Sequence, residues 1–112
     1  MFSRRHRFHG YNSVRTVYQH GKSVRGPLLS LKFSQRETSR PYRVAVVVSR
    51  KVHKSAVIRN RIRRRMYECV RRSESRIGGG TDLVFTVFND QMAELPAAKL
   101  QTIIDDLLAK TT

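Results

Sequence analysis

Residues 56–66 read A-V-I-R-N-R-I-R-R-R-M, five arginines and one asparagine in eleven residues with no acid between them. Guanidinium groups this close repel one another and cannot share a hydrophobic core. The same stretch nevertheless has an apolar period. At about 100° per residue, Ile58, Ile62, Met66, Cys69 and Val70 fall on one stripe. A surface helix satisfies both demands, with one face on a core and the other turned to solvent or to a polyanion. Asn60, Arg64, Tyr67 and Arg71 project opposite the stripe; Arg61, Arg65 and Arg72 flank one side, Arg59 and Arg63 the other. An ordinary solvated helix interleaves Glu with Lys or Arg at i, i+4, and here only Glu68 offers that relief. The ridge therefore suits phosphates, and the Asn60 amide adds a group able to hydrogen-bond a base edge or a sugar.

The rest of the chain supplies a sheet for the apolar stripe. A first helix is predicted from Asn12 or Ser13, both good caps, to a left-handed stop at Gly21, with Val14, Val17 and Tyr18 as its apolar face. In L-L-S-L-K-F-S, Leu29, Leu31 and Phe33 alternate with Ser30 and Lys32, the pattern of a half-buried strand. Residues 34–41 form a loop, and Y-R-V-A-V-V-V-S, 42–49, is β-branched enough for a central strand. The arginine helix follows a basic bend and runs to about Ser73. L-V-F-T-V-F, 83–88, is a further strand. Pro96 opens a last helix in its first turn, and Leu100, Ile103, Ile104, Leu107 and Leu108 carry that helix to about Lys110. The order α-β-β-α-β-α, with room for one more short strand, predicts a single α+β domain over 1–112 behind a basic arm, 1–10. Three helices should pack on a mixed sheet of about four strands as a two-layer α/β sandwich.

Charge narrows the function. From Met1 to Tyr67 the chain carries 18 basic residues and one acid, Glu37; from Glu68 to Thr112 it carries 5 basic residues and 7 acids. The net +15 is thus concentrated in the first two thirds, and a polyanionic partner accounts for tolerating that self-repulsion. Arginine predominates over lysine, which favours forked phosphate contacts and stacking on bases. No apolar run has the length of a membrane span, and the basic N-terminus lacks the apolar segment of a secretory signal. A lone cysteine, Cys69, forms no internal disulfide, so a reducing cytoplasm is the expected location.

The segment S-R-K-V-H-K-S-A-V-I-R-N-R-I-R-R-R-M, 49–66, resembles the signature of the protein subunit of bacterial ribonuclease P. The match falls on Ser49, Arg50, Lys51, Ala56, Val57, Arg59, Asn60, Arg61, Arg63 and Arg64. R-H-R-F at 5–8 is similar to the basic-plus-apolar opening of that family, and V-R-T-V-Y-Q-H-G at 14–21 to its first helix. The chain departs from the pattern at Val14, where an aromatic is common, at Tyr67, where an arginine is usual, and around His53, where a linker glycine is missing.

The resemblance implies a non-catalytic protein in an endoribonuclease ribonucleoprotein. The RNA subunit, with bound magnesium, would remove the 5′ leader of precursor tRNA; the protein itself would hold no cofactor. Arg59, Asn60, Arg61, Arg63, Arg64, Arg65 and Lys54 would grip the RNA subunit. Val14, Tyr18, Lys32, Phe33, Arg50, Lys51 and Phe8 would line a cleft for the leader. The family fold also implies an uncommon left-handed βαβ crossover, against the usual rule. Precursor tRNA and the RNA subunit are then the partners, with no membrane and no required protein partner.

The residues read on their own agree that the chain binds rather than cuts. A protein nuclease needs clustered carboxylates for metals, or a histidine pair with a nucleophile. Here the eight acids are scattered, and His6 and His9 have no Cys or acidic residue nearby to complete a zinc site. Size and charge fit a small ribosomal or RNA-chaperone protein equally well; the R-N-R block after a V-S-R-K strand end favours ribonuclease P. A DNA-binding protein is disfavoured because no helix-turn-helix spacing precedes the arginine helix.

Overall fold

The computed structural model describes residues 6–8, 11–36 and 38–111, with only the backbone described for 11–13. Of the expected basic arm, Phe2 and His9 lie outside the described residues, and 6–8 alone can be placed. The elements run α1 (Tyr11–His20), β1 (Lys22–Arg25), β2 (Leu29–Gln35), β3 (Arg43–Val47), α2 (Ala56–Arg72), β4 (Thr81–Val87) and α3 (Ala97–Ala109). Short 3₁₀ turns at Glu74–Arg76 and Asp90–Ala93 follow α2 and β4.

Local chemistry sets the boundaries. α1 begins at Tyr11, so Asn12 and Ser13 are already helical rather than caps ahead of it. Its end is forced by crowding and not by the expected left-handed turn. A Cβ on Gly21 would sit 2.5 Å from the Val17 carbonyl oxygen and 2.8 Å from that of Phe33. Among the described residues only Gly80 has a positive φ, 74°, in the turn that feeds β4. Pro96 stands just ahead of α3 as its cap position, not inside its first turn. β1 is the additional short strand.

The sheet order is β1-β2-β4-β3, so the last strand in the chain is interior. β4 runs antiparallel to β2, pairing Leu31 with Phe85, and parallel to β3, pairing Val46 with Phe85. α2 is the crossover between the two parallel strands, the connection whose left-handed sense the resemblance implies.

The pleat divides the sheet into two unequal faces. On one, Leu29, Leu31, Val44, Val46, Leu83, Phe85 and Val87 meet Ile62, Met66 and Val70 of α2 and Leu100, Ile104, Leu107 and Leu108 of α3. This is the predicted α/β sandwich, and each such side chain contributes about 1.5–3 kcal/mol on burial. The opposite face carries Ser30, Lys32, Ser34, Arg43, Ala45, Val47, Asp82, Val84 and Thr86 by alternation. There α1 lies against β2 and β4, and Val17 and Val84 are fully buried outside the main core. A ten-residue helix cannot cover that face, and the uncovered part becomes a cleft.

Residues 6–8 touch one sheet edge. Arg7 bridges to Val44 in parallel fashion, which gives β3 a partner on its outer side. His6 stacks on Tyr42 at 3.9 Å, and its Nδ1–H donates to the Tyr42 carbonyl at 2.9 Å.

Candidate nucleic-acid interface

α2 forms where the apolar stripe predicts, and Ile62, Met66, Cys69 and Val70 are its buried residues. The arginines around them divide into two groups. Arg59 donates to the carbonyls of His53 and Lys54, both at 3.0 Å, and so ties down the bend ahead of the helix. His53 supports the same bend, its Nδ1 accepting from the Ser55 N–H at 3.0 Å. Arg63 donates to Asn60 Oδ1 at 2.6 Å and to the Val48 carbonyl at 3.2 Å. Arg65 reaches across to the Met92 carbonyl at 2.8 Å and also donates to the Leu95 carbonyl.

Asn60, Arg61 and Arg64 remain exposed, and the two arginines enter none of these bonds. Further along, Arg71 and Arg72 both lean on Glu68, at 2.8 and 3.4 Å. The hydrogen bond from Arg71 holds the Glu68 carboxyl below the usual range. Two expectations change here. Arg65 is a strut of the fold rather than a free member of the ridge. Tyr67 does not point straight away from the core; it is half-buried against it, with the Arg7 guanidinium 5.8 Å from its ring centre. Both side chains are long enough to bend back over the flank of the helix, which a projection of Cα directions ignores.

Arg50 and Lys51, expected along the leader cleft, are instead exposed with Lys54 in the bend between β3 and α2. Cys69 is buried, and burial pushes its thiol up, so it behaves as a small apolar side chain.

The cleft lies on the other face. Tyr18 is half-buried, its hydroxyl sharing a hydrogen bond of 3.0 Å with Thr86 Oγ1. Lys32 donates to the Tyr18 carbonyl at 3.1 Å and holds its ammonium 5.4 Å from the Tyr18 ring centre. Val14 is half-buried one turn earlier on α1. Phe8 joins this side, packed under the Arg43 guanidinium at 4.7 Å. Phe33 does not. Strand alternation puts it with Leu29 and Leu31, against the core and on the face away from Lys32. By alternation Tyr18 and Phe33 lie on opposite faces and form no common stacking platform; among the described residues Phe8 and Tyr18 stand beside Arg43 and Lys32.

An unpredicted cluster closes one end of the cleft. Asp82, 4% exposed, accepts from Arg36 Nε at 2.8 Å and from Arg43 Nε and Nη2 at 2.9 and 2.8 Å. Arg36 also donates to the Pro41 carbonyl at 2.7 Å. Around them opens a cavity of about 640 Å³, with Thr16, His20, Lys22, Phe33 and Ser34 on its walls, so Phe33 borders this end of the cleft although its side chain alternates onto the core face. The signal was available in the alternation of Asp82, Val84 and Thr86 against Leu83 and Phe85. A polar residue among apolar ones, on the thinly covered face of a strand, requires a partner there.

The chemistry of these surfaces is that of contact with a polyanion. Cations with free guanidinium edges line one side of α2, and aromatics beside Lys32 and Arg43 line the cleft. Among the described residues, no three His, Cys, Asp or Glu groups are placed to hold a metal ion.

Comparison with known proteins agrees. A family model described as Ribonuclease P matches residues 2–112. The Ribonuclease P protein component of Chloroflexus aurantiacus is 37% identical over 105 residues, covering 94% of this chain and 76% of that protein. The Ribonuclease P protein component of Synechococcus elongatus is 31% identical over 108 residues, covering 94% and 88%. Among solved structures, the RNase P protein of Staphylococcus aureus superposes with a TM-score of 0.81 at 20% identity, covering 96% of this chain and 95% of that one. The RNase P protein of Thermotoga maritima gives 0.74 at 25% identity, covering 87% and 89%. With its whole described fold and nearly its whole sequence matched in this way, the chain belongs to the ribonuclease P protein family.

Proposed function

We propose that the exposed stripe of α2 grips the RNA subunit of ribonuclease P while the cleft beside α1 holds the single-stranded leader of precursor tRNA. The observation that carries this reading is the free face of α2, where Asn60, Arg61 and Arg64 stand exposed and neither arginine is consumed by the fold. Arg50, Lys51 and Lys54 extend the same charge over the preceding bend. A single strand needs stacking surfaces next to cations, and the pairs Tyr18–Lys32 and Phe8–Arg43 meet that need.

The chemistry of leader removal then belongs to the RNA subunit with its divalent metal, magnesium, in the cytoplasm. The acids most enclosed by this fold have structural work: Asp82 pairs with both Arg36 and Arg43, leaving the cluster cationic, and Asp105 accepts from Ser73 and Gln101. Purified, RNA-free protein should leave precursor tRNA intact. Added to the RNA subunit, it should lower the magnesium needed for cleavage and tighten binding of leader-bearing substrate. Leader removal by the RNA-free protein would refute this reading.

A further inference from the structure

Two large apolar side chains stay exposed among the described residues, Val57 at 70% and Phe88 at 44%. Phe88 has a companion, with the Arg25 guanidinium 4.9 Å from its ring centre. Val57 occupies the first turn of α2, and Asn60, Arg61 and Arg64 follow it at i+3, i+4 and i+7. Helical neighbours at those spacings lie about 5–6 Å apart at Cβ. At about 100° per residue, Val57 falls on the arc between Arg61 and Arg64, opposite buried Ile62, Met66 and Cys69. It is thus an apolar spot framed by free cations. The first turn of α2 also holds no acid, which leaves that helix end electropositive.

A lone exposed valine is ordinary on a protein surface. This one gains nothing for the helix, because a β-branched residue is a poorer helix former than alanine. It also gains nothing for the core. We propose that Val57 is a docking residue for the RNA subunit, its methyls lying on a ribose or base face while Arg61 and Arg64 take the flanking phosphates. A nucleic-acid strand presents that alternation of charged phosphate and less polar sugar and base. The proposal rests on the reading of α2 as the RNA grip. A second copy of the chain is the weaker occupant, since a net charge of +15 repels its like.

The test is equilibrium binding of the full-length protein to the RNA subunit of ribonuclease P over a range of monovalent salt. Val57→Ala, Val57→Thr, Val57→Ile and Arg61→Ala are compared, with a melting curve for each. Thr preserves shape and branching and exchanges one methyl for a hydroxyl, so it isolates the apolar contact. Val57→Ala should weaken binding by roughly tenfold, the scale for losing two buried methyl groups. Val57→Thr should also weaken it, and Val57→Ile should not. The factor should be the same at every salt concentration, because an apolar contact releases no counter-ions, whereas Arg61→Ala should flatten the salt slope by about one unit. No variant should melt below wild type, and Val57→Ala should melt at the same temperature or slightly higher. If the Val57 variants bind like wild type while Arg61→Ala loses slope, the proposal fails and the grip stands. If Arg61→Ala also has no effect, the grip itself fails. Altered self-association without altered RNA affinity would assign Val57 to a second copy and overturn the proposal.

Discussion

Arg61 and Arg65 sit one turn apart on the same flank of α2 and have opposite duties. Arg65 satisfies the carbonyls of Met92 and Leu95 after β4, whereas Arg61 reaches into solvent. Arg65→Ala leaves two partly enclosed acceptors without a donor and should cost about 1–3 kcal/mol of stability. Arg61→Ala should stay within about 0.5 kcal/mol. Chemical denaturation of the two variants checks the contrast; equal midpoints would mean that Arg65 belongs to the ridge after all. Sequence periodicity gave the direction of each Cα–Cβ bond, but not where a flexible side chain finds a carbonyl. Asn60 shows the same limit. It is exposed as expected, yet its amide oxygen also steadies Arg63.

Among the elements, α1 and β2 decide what the cleft is. The alternation of Leu29, Leu31 and Phe33 with Ser30 and Lys32 already separated Phe33 from Lys32 by face. The missing information was which face α1 would cross, since two short amphipathic elements can pack on either side of a sheet. Once α1 lies against Thr86 and Lys32, Tyr18 belongs to the cleft, while Phe33 packs against the core and touches the cleft only at its end cavity. Tyr18→Ala should weaken leader-bearing precursor tRNA by about 1–3 kcal/mol per lost stack. It should leave mature tRNA binding nearly unchanged. Tyr18→Phe retains the ring and should restore leader affinity, losing only the hydroxyl bond to Thr86, about 0.5–1.5 kcal/mol of stability. Equal weakening of mature and leader-bearing tRNA by Tyr18→Ala would confine Tyr18 to a packing role.

The contact between the start of β3 and the 3₁₀ turn after α2 also carries a pH dependence. Burial, reinforced by its hydrogen bond to Glu74 at 2.9 Å, pushes the Tyr42 phenol up from its usual range. A raised folded-state value means the stability is fully present below the unfolded value and fades as pH climbs above about 10. Tyr42→Phe should be less stable at neutral pH yet show a shallower loss on going alkaline, measured as melting temperature against pH. Parallel curves for the two proteins would remove Tyr42 from the alkaline transition.

At the scale of the whole molecule, α+β class, element order and the apolar stripe of α2 were legible because each rests on periodicity. β1 was legible only as an option: four residues, K-S-V-R, carry too little pattern to be read without the neighbour they pair with. The Asp82 cluster was not read because its members are 46 and 39 residues apart in the chain. The charge segregation makes a global prediction. If about six phosphates are neutralised by α2 and its basic bend, log affinity for the RNA subunit should fall with log salt at a slope of about −5. Between 50 and 200 mM monovalent salt that is a loss of roughly a thousandfold. A slope near zero would detach the charge from RNA binding altogether.

The strand order has a consequence for how the chain is made. β4 is interior: β2 can pair with β1 as soon as both have emerged, but β3 cannot join them in one sheet until residues 81–87 have left the ribosome. By then the basic residues of the first 67 positions have already emerged, next to a particle built largely of RNA. The nascent chain therefore passes through an interval in which its cations are out and its sheet cannot close. Synthesis therefore delivers the interior strand after the cationic helix, so the sheet closes only once the charge is already exposed.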